Sequence, residues 1–331
     1  MNLNERITLM VKLGGYLKEE STALTAIKEK AFQKNKWFTP AFIDFSFHQI
    51  CTHYLDKNKL EDWVEHYHID DNIQPQKVGV IMAGNIPLVG FHDFLCVFIT
   101  GHYQFIKLSE KDDILLKHLI EKMIEWQPEV SALVTISQLL KDDDAYIATG
   151  SNNSARYFNY YFGKMPSIIR KNKTSVAVIT GNETDEDLTH LADDVFIYFG
   201  LGCRNVTKIV VPKQYNFEKM LEFFKKYNYF SDITSYRNNY DYNLALLIMN
   251  NKFYMSSPAI ILSESENDFS PVSVLHYSYY QDKKEAELIL KGDENIQCII
   301  GTGFIPFGKA QEPGLFDYAD GIDTIQFLLS L

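Results

Sequence analysis

Cysteine is scarce in this chain: four residues in 331, at positions 51, 96, 203 and 298, with no regular spacing. That pattern excludes a disulfide framework and a zinc site, so reduced thiols and no bound metal are expected. Positive charge is also in short supply, with 32 Lys and Arg against 43 Asp and Glu and a formal net charge of −11. A nucleic-acid partner, which needs a clustered basic surface, is not expected. No apolar run approaches the length of a membrane span. The start, Met1-Asn-Leu-Asn-Glu-Arg6, lacks the basic-then-apolar order of a secretory signal. A cytoplasmic protein without a membrane span is the expectation. Internal repeats and low-complexity linkers are absent as well.

What the chain does have is 46% hydrophobic residues, ample for a real core, and a change of pattern near residue 75. Residues 1–74 read as mainly helical, with apolar spacing over Leu9 to Leu17 and Phe42 to Tyr54. From Val78 onward, short apolar strands alternate with helices, the mark of a largely parallel α/β sheet. Strands are predicted at 78–82, 103–108, 146–149, 175–180, 207–211, 259–262, 272–277 and 296–300. A helix is predicted over Leu88 to Thr100, stopped by Gly101. Ser109, with Asp112 three residues on, fits an N-cap for a helix over 113–126. The organisation expected is a helical region (1–74), a Rossmann-like cofactor domain (75–174) and a second α/β catalytic domain (175–300). A tail (301–331) is expected to return toward the cofactor domain or the cleft.

Chemistry concentrates at the junctions of this pattern. Tyr198-Phe-Gly-Leu-Gly-Cys203 joins a helical stretch, Asp185 to Phe199, to the strand Thr207 to Val211. Gly202 keeps bulk away from the Cys203 sulfur, so a planar acyl carbon and a backbone N–H could both reach it, a layout suited to acyl-thioester chemistry. The alternative is a helix C-cap carrying a packing cysteine, as Cys51, Cys96 and Cys298 read within their apolar runs. Asn85, in Gly84-Asn85-Ile86-Pro87 after a strand, is either an oxyanion donor or a turn asparagine. Lys107, near the end of the next strand, is either a ribose or phosphate ligand or a solvated lysine. Thr149-Gly150-Ser151 leads from a strand into a helix N-terminus, a natural seat for an anion, although one glycine is not a Gly-x-Gly-x-x-Gly motif.

The order of these segments resembles the aldehyde dehydrogenase superfamily. Ala83-Gly-Asn85-Ile-Pro87 is similar to its Pro-Trp-Asn-Phe-Pro loop, Lys107-Leu-Ser-Glu110 to its Lys-Pro-Ser-Glu, and Thr149-Gly150-Ser151 to its Phe-Thr-Gly-Ser turn. Gly202-Cys203 then falls where the nucleophile belongs. With the tail Ile305-Pro-Phe-Gly-Lys-Ala-Gln-Glu-Pro-Gly-Leu-Phe-Asp-Tyr-Ala-Asp-Gly-Ile-Asp-Thr324, the chain looks closest to acyl-CoA reductases of the LuxC type, which include the reductase of bacterial luminescence systems. The resemblance covers residues 75–331. It implies an aldehyde dehydrogenase-like fold and reduction of a fatty acyl-CoA or acyl-protein thioester to aldehyde. Cys203 would form the acyl-enzyme, and Asn85 with the Cys203 backbone N–H would hold the oxyanion. NADPH, or alternatively NADH, would be held by Lys107, Glu110, Gly150, Ser151 and Phe269. Self-association and an acyl-transfer partner are also implied.

Three departures qualify what is implied. Arg170-Lys-Asn-Lys-Thr-Ser-Val176 stands where the superfamily carries Glu-Leu-Gly-Gly-Lys-Ser-Pro, so the glutamate that activates water for thioester hydrolysis is missing. Asn267 replaces the glutamate of the Glu-x-Phe-Gly-Pro ribose contact, while Phe269 and Pro271 persist. Ala155 stands where a glycine is expected. Two other functions therefore stay open: an acyltransferase that uses Cys203 without nicotinamide, and a non-catalytic member of the fold.

Overall fold

The computed structural model describes residues 1–19, 21–71 and 74–331, which divide into two compact units. The first comprises Met1–Asn172 and Pro313–Leu331, the second Lys173–Glu312.

In the first unit five parallel strands lie in the order β3-β2-β1-β4-β5: β1 (Lys77–Ile81), β2 (Tyr103–Lys107), β3 (Val134–Ile136), β4 (Ala145–Thr149) and β5 (Ser167–Arg170). Val78, Val80, Ile106 and Ile147 are fully buried, because helices cover both faces of a parallel sheet. The helix Phe91–Ile99 is buried almost all round and ends at Thr100, where Gly101 takes a φ of 75°. The N-terminal helices Leu3–Lys18, Thr22–Lys34, Pro40–Gln49 and Lys57–His66 contribute Met10, Leu13, Leu24, Ile43, Leu60 and Trp63 to the same core. The helix Leu3–Lys18 is opened by a reciprocal cap between Asn2 and Glu5, and its buried Arg6 donates to the Ile99 carbonyl at 3.2 Å. The C-terminal segment is tied into this unit by polar bonds. Trp63 donates to the Tyr318 hydroxyl at 3.0 Å, Tyr67 to Asp323 at 2.6 Å and Arg170 to the Thr324 hydroxyl at 2.8 Å.

In the second unit six strands follow the order β11-β6-β7-β10-β9-β8: β6 (Thr174–Val178), β7 (Val206–Pro212), β8 (Tyr254–Ser256), β9 (Ile261–Glu264), β10 (Val274–Tyr280) and β11 (Ile296–Ile300). Only β8, at one edge, runs antiparallel to its neighbour. The β-branched runs of β6 and β7 are buried along nearly their whole length, as expected for central strands covered on both faces. The helix Asp185–Phe196 begins at a Thr184/Asp187 capping box and lies before β7. Among the described residues no helix is long and apolar enough to cross a membrane.

Several predicted boundaries are corrected. The helix expected from Leu88 starts at Phe91, because Leu88 adopts a left-handed φ of 56°. The helix expected from Asp113 starts at Leu115, and Ser109 does not cap it: its hydroxyl accepts from the N–H of Lys111 in the preceding loop.

Candidate active site

Cys203 lies in a turn between two secondary elements of the second unit. The helix ends at Phe196, and Tyr198 and Phe199 are both left-handed, with φ of 56° and 57°, which swings the chain out of the helix path before Gly200. The turn Gly202–Asn205 then closes with an N–H to carbonyl bond between its ends. Asn205 is fully buried and all its polar functions are used. Its carbonyl oxygen accepts from the N–H of Gly202 at 2.8 Å, and its amide donates to the carbonyls of Asp194 at 3.0 Å and Ile197 at 2.8 Å. The last helix carbonyls are therefore taken up by Asn205. The Cys203 carbonyl accepts from the Ser175 hydroxyl on β6 at 3.0 Å. Of the four cysteines, Cys203 alone is half-exposed, while Cys51, Cys96 and Cys298 are buried. Burial pushes the Cys51 thiol up to about 11 and the Cys96 thiol well above its ordinary value, which suits packing rather than reactivity.

The charged neighbours are committed elsewhere. Lys208, 4% exposed on β7, donates to the Glu266 carbonyl at 2.9 Å and to Asp268 at 3.1 Å. Lys208 is thus a buried, paired cation. Arg204 donates to the sulfur of Cys298 on β11 at 3.1 Å.

Those Lys208 bonds fasten the loop that carries Phe269. The Thr207 hydroxyl donates to the Asp268 carbonyl at 2.6 Å, and His276 bonds the Asn267 carbonyl through Nδ1 at 2.8 Å. Thr207 also bonds Thr174 at the start of β6. Burial, together with Lys208, lowers the His276 pKa, so a neutral ring is favoured near neutral pH. The Asn267 side chain is turned inward on its own loop, accepting from the Phe269 N–H at 3.1 Å. The Cys203 turn and the Phe269 loop thus meet at one end of the sheet, where β6, β7 and β10 begin. Phe199 and Gly200 from the first segment and Ser270 and Pro271 from the second line one small cavity.

Asp194, beneath the same turn, carries the tail. Its carboxylate accepts from the backbone N–H groups of Gly308 at 2.7 Å and Ala310 at 3.1 Å. Burial nevertheless pushes its pKa up to about 7, against the pull of those two donors. Gly308 is needed there: its φ is 81°, and a Cβ would lie 3.0 Å from His190.

In the first unit the other candidates share one edge. Asn85, Lys107 and the pair Gly150 and Ser151 follow the C-terminal ends of β1, β2 and β4, which are adjacent in the sheet. The strand order reverses between β1 and β4, the position where open α/β sheets bind ligands. Asn85 is half-buried, and Lys107, Glu110 and Ser151 are exposed. The Ser151 hydroxyl caps the helix Asn152–Phe162 by accepting from the Ser154 N–H at 3.2 Å. Gly150 has no room for a side chain, since a Cβ would sit 2.8 Å from Ser154 and 2.9 Å from Phe158. Beside it the buried Thr149 hydroxyl has no hydrogen-bond partner. A helix N-terminus, a glycine that lets backbone approach and a buried unpaired hydroxyl together fit a phosphate-bearing dinucleotide.

Arg170, expected in the stretch that lacks the hydrolytic base, closes β5 and pairs with Asp93 at 2.5 Å in the core. The sequence carries little local signal that Asn205, Asp194 and Lys208 hold these loops. The only local signal was an Asn two residues beyond the cysteine and just before a strand, which is common in turns of any kind.

No protein-family model matches the chain, and no curated protein matches it. Solved structures do. Aldehyde dehydrogenase 21 from Physcomitrella patens, in complex with succinate, superposes with a TM-score of 0.63 at 12% identity, over 91% of this chain and 74% of that one. A mutant indole-3-acetaldehyde dehydrogenase, AldA of P. syringae, in complex with NAD+ and IAA, gives a TM-score of 0.63 at 12% identity, over 87% and 70%. Lactaldehyde dehydrogenase from Escherichia coli gives 0.60 at 12% identity, over 86% and 71%. The chain therefore has the aldehyde dehydrogenase fold.

Proposed function

We propose that this protein is a nicotinamide-dependent oxidoreductase that reduces a fatty acyl thioester, carried on coenzyme A or on a protein, to the aldehyde through an acyl-cysteine at Cys203. The observation that carries the reading is the meeting of the Cys203 turn and the Phe269 loop at one end of the second sheet, each pinned by buried or half-buried bonds. The Cys203 thiolate attacks the thioester carbonyl; the bond from carbon to the departing sulfur breaks, and that thiolate takes a proton. When bound, a reduced nicotinamide supplies the hydride that brings the acyl carbon to the aldehyde level. The Cys203 backbone N–H and the Asn85 amide are the proposed donors to the tetrahedral oxyanion. Cleavage of the bond between carbon and Cys203 then frees the aldehyde and restores the thiolate. Gly150, Ser151, Lys107 and Glu110 are the proposed cofactor ligands, with Phe269 beside the nicotinamide ribose.

NADPH is the reductant favoured by the LuxC-type resemblance, and NADH is the alternative. The lack of the hydrolytic glutamate supports reduction over hydrolysis, because an acyl-cysteine without that base has no built route to water. Asn267, whose side chain accepts from its own loop, favours a second reading: acyl transfer from Cys203 to another thiol, without nicotinamide.

The test is NADPH and NADH oxidation by the purified protein across a series of acyl-CoA chain lengths, with mass spectrometry of the Cys203 peptide. Aldehyde formation that disappears in Cys203→Ala is the expected result. Acylated Cys203 without oxidation would favour the acyltransferase, and an unmodified Cys203 would remove both readings.

A further inference from the structure

We propose that Asp112 is a positioning residue for the Asn85 loop: it holds Leu88 in the left-handed turn that ends the loop and so fixes where the Asn85 amide lies. The inference rests on the reaction proposed above. The loop runs from β1 through Met82 to Leu88 and then into the helix Phe91–Ile99. At its start, Met82 donates to the Lys107 carbonyl at 3.1 Å, which extends the pairing with β2. In its middle, Gly84 is pressed against the loop that follows β2, where a Cβ would lie 2.5 Å from the Ser109 hydroxyl and 3.3 Å from the Asp112 Cβ. At its end, the Ser46 hydroxyl donates to the Pro87 carbonyl at 2.9 Å. Leu88 then adopts a φ of 56°, a conformation that disfavours a leucine, and Asp112 Oδ2 accepts its N–H at 2.7 Å.

The same carboxyl is a poor choice for stability alone. Asp112 is buried, and its other oxygen, Oδ1, has no hydrogen-bond partner. Burial pushes the group up to about 7, against the Leu88 N–H and with the Asp113 charge adding to the rise. An asparagine could accept the same N–H without burying an acid. A buried group that breaks the pairing rule and grips a strained residue beside a candidate catalytic amide is better explained by placement of that amide than by folding. It also couples the end of β2 and the loop after it, which carry Lys107 and Glu110, to the loop after β1.

The test compares Asp112→Ala with Asp112→Asn. Turnover of acyl-CoA should fall on the order of tenfold or more in Asp112→Ala, the size of one lost buried hydrogen bond. Acylation of Cys203, which passes through an oxyanion at the same carbon, should slow as well, while the melting temperature should fall only slightly. Asp112→Asn, which keeps an acceptor for the Leu88 N–H, should restore most of the turnover. Amide hydrogen exchange of the 84–90 peptide should quicken in Asp112→Ala only. Wild-type turnover and exchange in Asp112→Ala would overturn the proposal. So would equal losses in both variants, or a chain that no longer folds, since these would mark a purely structural group. If the wild-type protein shows no thioester reduction, the proposed reaction fails by itself, and the exchange of the 84–90 peptide still decides whether Asp112 holds the loop.

Discussion

The Cys203 turn is held by a neutral amide, Asn205, whose polar functions all have partners, whereas the Asn85 loop is held by a buried carboxyl with one oxygen unpaired. The contrast extends along both edges. Around Cys203, the Asp194 carboxylate, Lys208 and Thr207 each have assigned partners. At the other edge Thr149 and Asp112 each keep a buried polar atom without one. A nucleophile benefits from a turn fixed before substrate arrives, because every degree of freedom already lost need not be lost in the transition state. A cofactor face benefits from donors and acceptors left uncommitted. At these named residues the two edges differ in the direction that the proposed roles require.

The change that would most disturb this comparison lies in the first unit, which has one strong buried pair of its own. Arg170 and Asp93 are 2% and 9% exposed, and Arg170 also reaches Thr324 in the C-terminal segment. Arg170→Met leaves Asp93 as an unpaired buried charge and should cost about 3–5 kcal/mol in urea unfolding. Adding Asp93→Leu should recover most of it, because two apolar groups replace the pair. A single variant as stable as wild type would mean that the first unit does not depend on its polar core.

Asn205→Ala tests the saturated edge and should cost less, about 1–3 kcal/mol, through the unpaired Gly202 N–H and helix-end carbonyls. Iodoacetamide should then label Cys203 at a changed rate, read from its peptide by mass spectrometry. The comparison predicts that Asp112→Ala lowers stability far less than Asn205→Ala. Equal losses would erase the distinction between the two edges.

How much of this was legible follows the range of the interactions. Period and composition located the central strands to within a few residues, because Val78-Gly-Val-Ile and Thr207-Lys-Ile-Val-Val are buried on both faces and spell that out locally. The edge strands β3, β5 and β8 are not legible in the sequence; each is short and partly exposed, so its residues carry no continuous apolar run. The Ser109 and Asp112 pair has the spacing of a helix cap, yet both serve the neighbouring loop, Ser109 by packing on Gly84 and Asp112 by holding Leu88. Tertiary contact overrode a local signature there. The same holds at Asn205, whose partners lie on a helix end that its own sequence neighbourhood does not specify.

The remaining prediction concerns pH dependence, and it sets the two buried carboxyls side by side. Asp112 and Asp194 are each pushed from 3.8 to about 7 by burial. Below about pH 4 folded and unfolded chains both carry these protons, and the contribution to stability is complete. As pH rises the unfolded carboxyls ionise first, so stability falls until the folded groups ionise near pH 7. Asp112→Asn removes one share of that slope, and urea midpoints measured across the window should give a flatter curve than wild type. Asp194→Asn should flatten it too, but with a loss at every pH, because an amide offers one acceptor where Gly308 and Ala310 present two donors. A slope unchanged in Asp112→Asn would mean that Asp112 is ionised in the folded protein well below pH 7. The carboxyl would then grip Leu88 as a charge, the bond would be stronger, and Asp112→Asn should lose turnover that the neutral carboxyl would not explain.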